Sequence, residues 1–304
     1  MTDNEAFPSL PLGEWEDTKT TLHLCCQIVG KVRLGLNPRM NHWWHVPLYV
    51  TARGLSTRAI PFRGESFELE LDLIDHQLVI RTSKGELKTV PLMNTTVADF
   101  HAGVFENLGA LNIRPHIIAR PFDPTKVKSD IPFAQDTTHK SYDPDYVTRF
   151  WHVLIGVERI FRVFRGRYQG KCSPVHFFWH SFDLAVTRFS GRAAELAADA
   201  DPVTREAYSH EVISAGFWPG DDNMPEPAFY AYAAPEPADL DKEKIQPKEA
   251  WWQDVGGSFM ALYRYEDFRT AADPTGALLE FLQSSYDAGA KLAKWPRDDL
   301  ELGS

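Results

Sequence analysis

Cysteine is scarce in this chain. Its 304 residues contain three, Cys25, Cys26 and Cys172, two of them adjacent. An odd count with no C-x-x-C pair excludes a disulfide framework and fits a reduced, cytoplasmic compartment. Long apolar runs are missing as well. No stretch approaches about 18 consecutive apolar residues, so no membrane partner is expected. The acidic opening, MTDNEAFPSLPLGEWED, lacks the apolar segment of a secretory leader. Positive charge is in short supply, with 32 Lys and Arg against 42 Asp and Glu and a net charge of −10. Displacing the counterions of a duplex needs a basic face, so no nucleic-acid partner is expected. The one basic run, ERIFRVFRGRYQGK, reads as the solvated face of a helix. Nothing in the sequence indicates an oligomeric state.

Several catalytic signatures are also missing. There is no G-x-G-x-x-G, no G-x-S-x-G and no H-E-x-x-H. GKCSP, residues 170–174, lacks the spacing of a phosphate loop and follows a helix rather than a strand.

What the chain does have is rings. Aromatics make up 12 % of it, including nineteen Phe and nine Trp, enough to build a core with much apolar area per residue. Helical spacing predicts a helix over residues 17–36, with Asp17 or Thr18 as its cap and Asn37-Pro38 as its stop. Strands are predicted at 44–52, 66–74, 77–81 and 87–92. Phe67, Leu69, Leu71 and Leu73 alternate with Glu68, Glu70 and Asp72, the pattern of a strand with one wet face. A helix is predicted over 97–111, capped by Thr95 or Thr96. Residues 121–142, rich in Pro, Asp and Thr, read as a linker. A long helix then begins at Asp143-Pro144. Strands follow at 176–187, 208–214, 228–233 and 258–263, and a last helix covers 274–292.

The order helix, strands, helix occurs twice. Trp44-His45 can be laid on Trp179-His180; Arg53 then falls on Arg188, and His76 near His210. The expectation is an α+β protein of two related units with mainly antiparallel sheets, an internal duplication. The first unit spans 1–120. The second spans 143–304, with an insertion near 217–257. A site is expected where the units meet.

Three chemistries compete for that site. His176 and His210, with Glu211, could be acid–base groups, since an imidazole near neutrality needs only one orienting partner. The same three could instead ligate a divalent metal, although no zinc-type spacing supports it. Residues 176–187 taken as one strand would keep His176 and His180 on one face. Third, Arg53 and Arg188 could hold an anion, because a guanidinium captures carboxylate or phosphate in bidentate fashion. The structural readings beside these are hydrogen-bonded core histidines, a tight turn at Asp75-His76 and salt-bridged arginines.

The stretches NHWWHVPLYVTARG, GKCSPVHFFW, SFDLAVTRFSGR, REAYSHEV, SAGFWPG and EPAFYAYA together resemble an uncharacterised bacterial domain-of-unknown-function family, number 5996. The resemblance spans nearly the whole chain. It implies one recurrent unit and carries no activity with it. The family's wording commonly has Gly at the place of His180, which argues against His180 as an essential ligand. The functional expectation is an enzyme or binder acting on a small anionic metabolite. Trp44, Trp179, Arg53 and Arg188 would bind this small-molecule ligand in a His/Arg/aromatic pocket between the units. The alternative is a non-catalytic binding or protein-interaction module that uses the aromatic strands.

Overall fold

A computed structural model describes residues 7–195 and 199–302; the first six residues of the acidic opening lie outside it. The long opening helix, α1 (Glu16–Leu36), has no side-chain cap at Trp15 and ends at Asn37, before Pro38. Its buried face carries Leu22, Cys26, Val29 and Val32. An antiparallel sheet follows: β1 (Tyr49–Val50), β2 (Gly54–Ser56), β3 (Ile60–Phe62), β4 (Glu65–Asp72), β5 (Gln77–Thr82) and β6 (Leu87–Pro91), in the order β1-β2-β4-β5-β6, with β3 also on β4. The apolar alternation of β4 is met across the sheet, Leu71 opposite Leu55 and Leu78. Helix α2 (Val97–Ala110), capped by the Thr96 hydroxyl, lies on this apolar face.

The second half repeats the order. Helix α3 (Pro144–Gly166) starts at Asp143, whose carboxylate accepts from the Asp145 and Tyr146 amides. Then come β7 (His176–Phe178), β8 (Asp183–Ala193), the short α4 (Pro202–Ala207), β9 (His210–Trp218), β10 (Ala228–Ala234), β11 (Trp251–Val255) and β12 (Ser258–Arg264). The sheet order is β11-β12-β10-β9-β8-β7, all antiparallel. The short α5 (Tyr265–Arg269), α6 (Pro274–Leu292) and α7 (Arg297–Leu300) close the chain. With two six-stranded antiparallel sheets and helices segregated from them, the fold is α+β.

The sheets meet at a seam. Leu48, just before β1, and Phe177 in β7 exchange both backbone hydrogen bonds, at 2.8 and 2.9 Å. Two indoles cross the same seam, with Trp179 Nε1 donating to the Val46 carbonyl and Trp151 Nε1 to that of Thr51. One continuous apolar core contains residues of both halves.

Several expectations need correction. Residues 44–52 are not one strand. A 3-10 turn at Asn41–Trp43, with His42 and Trp43 at positive φ, leaves only Tyr49–Val50 in β1. Residues 176–187 are likewise broken, because Phe182 at φ 61 turns the chain between β7 and β8. The strand expected at 208–214 begins only at His210, and Tyr208 is the C-cap of α4. The segment 121–142 contains only one 3-10 turn, Phe133–Gln135, yet it is packed down: Val127, Phe133 and Asp136 are buried. The region 217–257 contains β10, which sits between β9 and β12. The residue correspondences are not reproduced either. Arg53 lies in the β1–β2 turn, whereas Arg188 is inside β8; His76 is in the β4–β5 turn, whereas His210 begins β9. Only the coarse order helix, strands, helix recurs, and an internal duplication is not confirmed.

Candidate functional site

His176 is 1 % exposed, among the rings of Trp44, Tyr49 and Phe178 at centroid distances of 5.9, 5.6 and 5.5 Å. Burial, reinforced by Arg33, Arg58 and Arg165, depresses its pKa to about 3. It is therefore a neutral imidazole, unsuited to proton transfer near neutrality. His210 is half-buried, its Nδ1 3.1 Å from the Ser209 hydroxyl. Between the two histidines run successive ring contacts, His210 to His42, His42 to Trp44 and Trp44 to His176. Strand alternation sends Glu211 to the opposite face from His210, where Arg192 binds it at 2.6 Å. The structure thus does not bring His176, His210 and Glu211 together. Among the described residues, no group of three His, Cys, Asp or Glu side chains is placed to hold a metal.

The expected anion-binding arginines are already occupied. Arg53 pairs with Asp72 and Asp75, both at 2.6 Å. Arg188 is 1 % exposed and turned toward the helices, with its guanidinium 3.5 Å from the Phe164 ring centroid, 4.4 Å from Tyr286 and 4.9 Å from Tyr168. One of its nitrogens donates to the Phe164 carbonyl at 2.5 Å. Burial lowers its pKa to about 10, so it stays charged, with ring faces packed over its guanidinium. Trp179 is buried against α1, where Gly30 leaves room for it; a Cβ there would lie 2.2 Å from the indole. Trp44 is half-buried, over Phe189 and His176.

Another constellation does converge, on the face of the second sheet away from α6. Register puts Ala185, Gly216 and Tyr230 on one face, and Thr187, Ser214 and Tyr232 beside them. Gly216 allows the Tyr230 ring to lie flat over the sheet, since a Cβ would fall 2.4 Å from that ring. Tyr230 donates its hydroxyl proton to Asp183 Oδ2. The Tyr208 and Tyr232 hydroxyls are 2.9 Å apart, and those of Thr187 and Ser214 2.8 Å. A cavity of about 620 Å³ opens over this row, lined among others by Asp183, Tyr230, Tyr232, Trp218, Asp254 and Lys126. Asp183 is buried, and burial pushes its carboxyl up to about 6 in spite of the tyrosine bond. Its buried Oδ1 finds no hydrogen-bond partner among the described residues, and neither does the buried Nε1 of Trp218.

Sequence reasoning passed over these residues, although two signals were present. Asp183 is a carboxylate in an otherwise apolar strand pattern, and alternation in FYAYA puts Tyr230 and Tyr232 on one face. Lys126 could not have been found, because it reaches the cavity from the irregular segment 121–142.

Three segments behind the family resemblance, SFDLAVTRFSGR, SAGFWPG and EPAFYAYA, supply Asp183, Trp218 and the two tyrosines. Over residues 7–302 the chain matches the sequence model of a family of unknown function, DUF5996. It belongs to that family. No curated protein and no solved structure matches it. No helix among the described residues is long and apolar enough to cross a membrane.

Proposed function

We propose that this DUF5996 member binds a small neutral or cationic molecule, bearing hydroxyl or amine groups, in the cavity over Tyr230, and that Asp183 exchanges a proton with it. One observation carries the reading. An acceptor, Asp183 Oδ1, and a donor, Trp218 Nε1, are both buried and unpartnered on residues that line one cavity. Unpaired buried polar atoms cost about 1–3 kcal/mol each, a cost that a ligand with complementary groups removes. A carboxyl with a pKa of about 6 is poised to act as acid or base near neutrality.

The charge balance of the lining argues for the ligand class. Asp183, Asp221 and Asp254 stand against Lys126, which disfavours the small anionic metabolite first expected. That ligand also loses its anchors, because Arg53 and Arg188 are already partnered. A purely adhesive module has no use for a carboxyl poised in this way, so the aromatic-strand interaction reading is the weaker one.

The test is thermal denaturation of wild type and Asp183→Asn against a series of polyols and a series of primary amines. Asn preserves shape and the acceptor for Tyr230. At least one polyol or amine should raise the wild-type melting temperature by several degrees and leave the variant unmoved. A shift of equal size in the variant, or none in wild type with either series, sinks the proposal.

A further inference from the structure

A second constellation lies on the seam between the sheets, remote in its residues from the Asp183 cavity. Near the end of α1, Arg33 is 4 % exposed. It donates to the Thr57 carbonyl, while its buried Nε finds no partner among the described residues. Arg58, just beyond β2, holds positive φ and lays its guanidinium 3.6 Å from the Tyr49 ring centroid; Arg33 is 5.4 Å from the same centroid. Across the seam His176 packs 5.6 Å from Tyr49, its Nε2 also buried and without a partner among the described residues. Arg165 adds a third positive charge felt by His176, and its Nε is committed to the Ser173 carbonyl.

Neither Arg33, Arg58 nor Arg165 forms an ion pair with any described residue, although salt bridges are common elsewhere in the chain. Arg188, the other buried arginine, has its positive charge covered by three ring faces. Arg33 and Arg58 share one ring, and burial together with the Arg58 charge disfavours the charged form of Arg33. Two like charges this close, one of them desolvated, call for an anion. Guanidinium groups, a tyrosine hydroxyl and an imidazole nitrogen form a donor set for a tetrahedral oxyanion. Arg33 is buried and Arg58 exposed, so the pair runs from the interior to the surface.

We infer that the seam between the two sheets is an oxyanion site, in which Arg33 and Arg58, with Tyr49 and the Nε2 of His176, hold a phosphate group. The group is either inorganic phosphate or the phosphoryl end of a larger molecule. The site fastens β1 to β7 through a ligand, in addition to the backbone pair at Leu48 and Phe177.

Inorganic phosphate is titrated into the full chain by calorimetry and by thermal denaturation, with sodium chloride at matched ionic strength as control. Phenyl phosphate forms a second arm, and acetate a third. Saturable phosphate binding is expected, together with a rise in melting temperature that chloride does not give. Tighter binding of phenyl phosphate identifies a phosphoryl group on a larger molecule, and tighter binding of phosphate identifies the free ion. Acetate should bind at least ten-fold more weakly than either. Arg58→Gln, at an exposed position where folding is not at risk, should weaken binding at least ten-fold, with Arg58→Lys recovering part of it. Asp183→Asn should bind phosphate as wild type does, which separates this site from the cavity. A chloride-like response, acetate binding equal to phosphate, or unchanged phosphate binding in Arg58→Gln overturns the inference.

Discussion

Asp183 and His176 are both buried, and they respond to pH in opposite senses. Asp183 has a folded pKa of about 6, raised from 3.8. Its contribution to stability is complete below pH 3.8 and is lost as pH rises through about 6. A difference of one between the folded and unfolded pKa is worth about 1.4 kcal/mol, so the loss is on the order of 3 kcal/mol. His176, depressed to about 3, and His180, depressed to about 4, contribute stability that is present above 6.5 and lost as pH falls through those values. Comparing Asp183→Asn with wild type cancels the histidines. The variant should gain on wild type between pH 4 and pH 7, by urea denaturation at each pH. A constant difference would place the carboxyl in a solvated environment.

Among the elements, the packing of the Trp179 turn on α1 is sensitive to one added carbon. Gly30→Ala would gain about 1 kcal/mol of helix propensity. Its Cβ, however, meets an indole already fixed by a 2.9 Å bond to Val46. Overpacking costs roughly 1–3 kcal/mol, so the expected net effect is destabilisation, read as a lower denaturation midpoint. Gly13, whose Cβ would meet nothing within 4 Å, provides the control. The same turn shows what the sequence made legible. Helices α2, α3 and α6 could be read because Thr96, Asp143-Pro144 and Asp273-Pro274 are local stop-and-start chemistry. The break between β7 and β8 could not, because Phe177, Trp179, Phe182 and Leu184 are all buried and apolar patterning continues straight through it. A left-handed phenylalanine is imposed by tertiary packing and leaves no local mark. His176 and Arg188 were visible as chemistry-bearing types, but their partners, Tyr49 and Tyr286, come from elements far away in sequence. Asp183 was visible in the same strand, yet only the folded sheet sets it beside Tyr230.

For the molecule as a whole, the two halves share a core and a seam of backbone and indole hydrogen bonds. Neither half can unfold without exposing the other's edge. Far-ultraviolet dichroism and tryptophan fluorescence should therefore follow one coincident denaturant transition. Two separated transitions would mean that the seam is weaker than its hydrogen bonds suggest.

The Leu48–Phe177 pair also sets a timetable for synthesis. The first sheet leaves the ribosome with β1 as an open edge, and its partner β7 is translated only after α2, the segment 121–142 and α3 have been made. At roughly 5–20 residues per second, that edge waits on the order of ten seconds for its neighbour. An unpaired edge is a template for pairing with other chains. Its shortness, only Tyr49–Val50, protects the nascent chain during the wait.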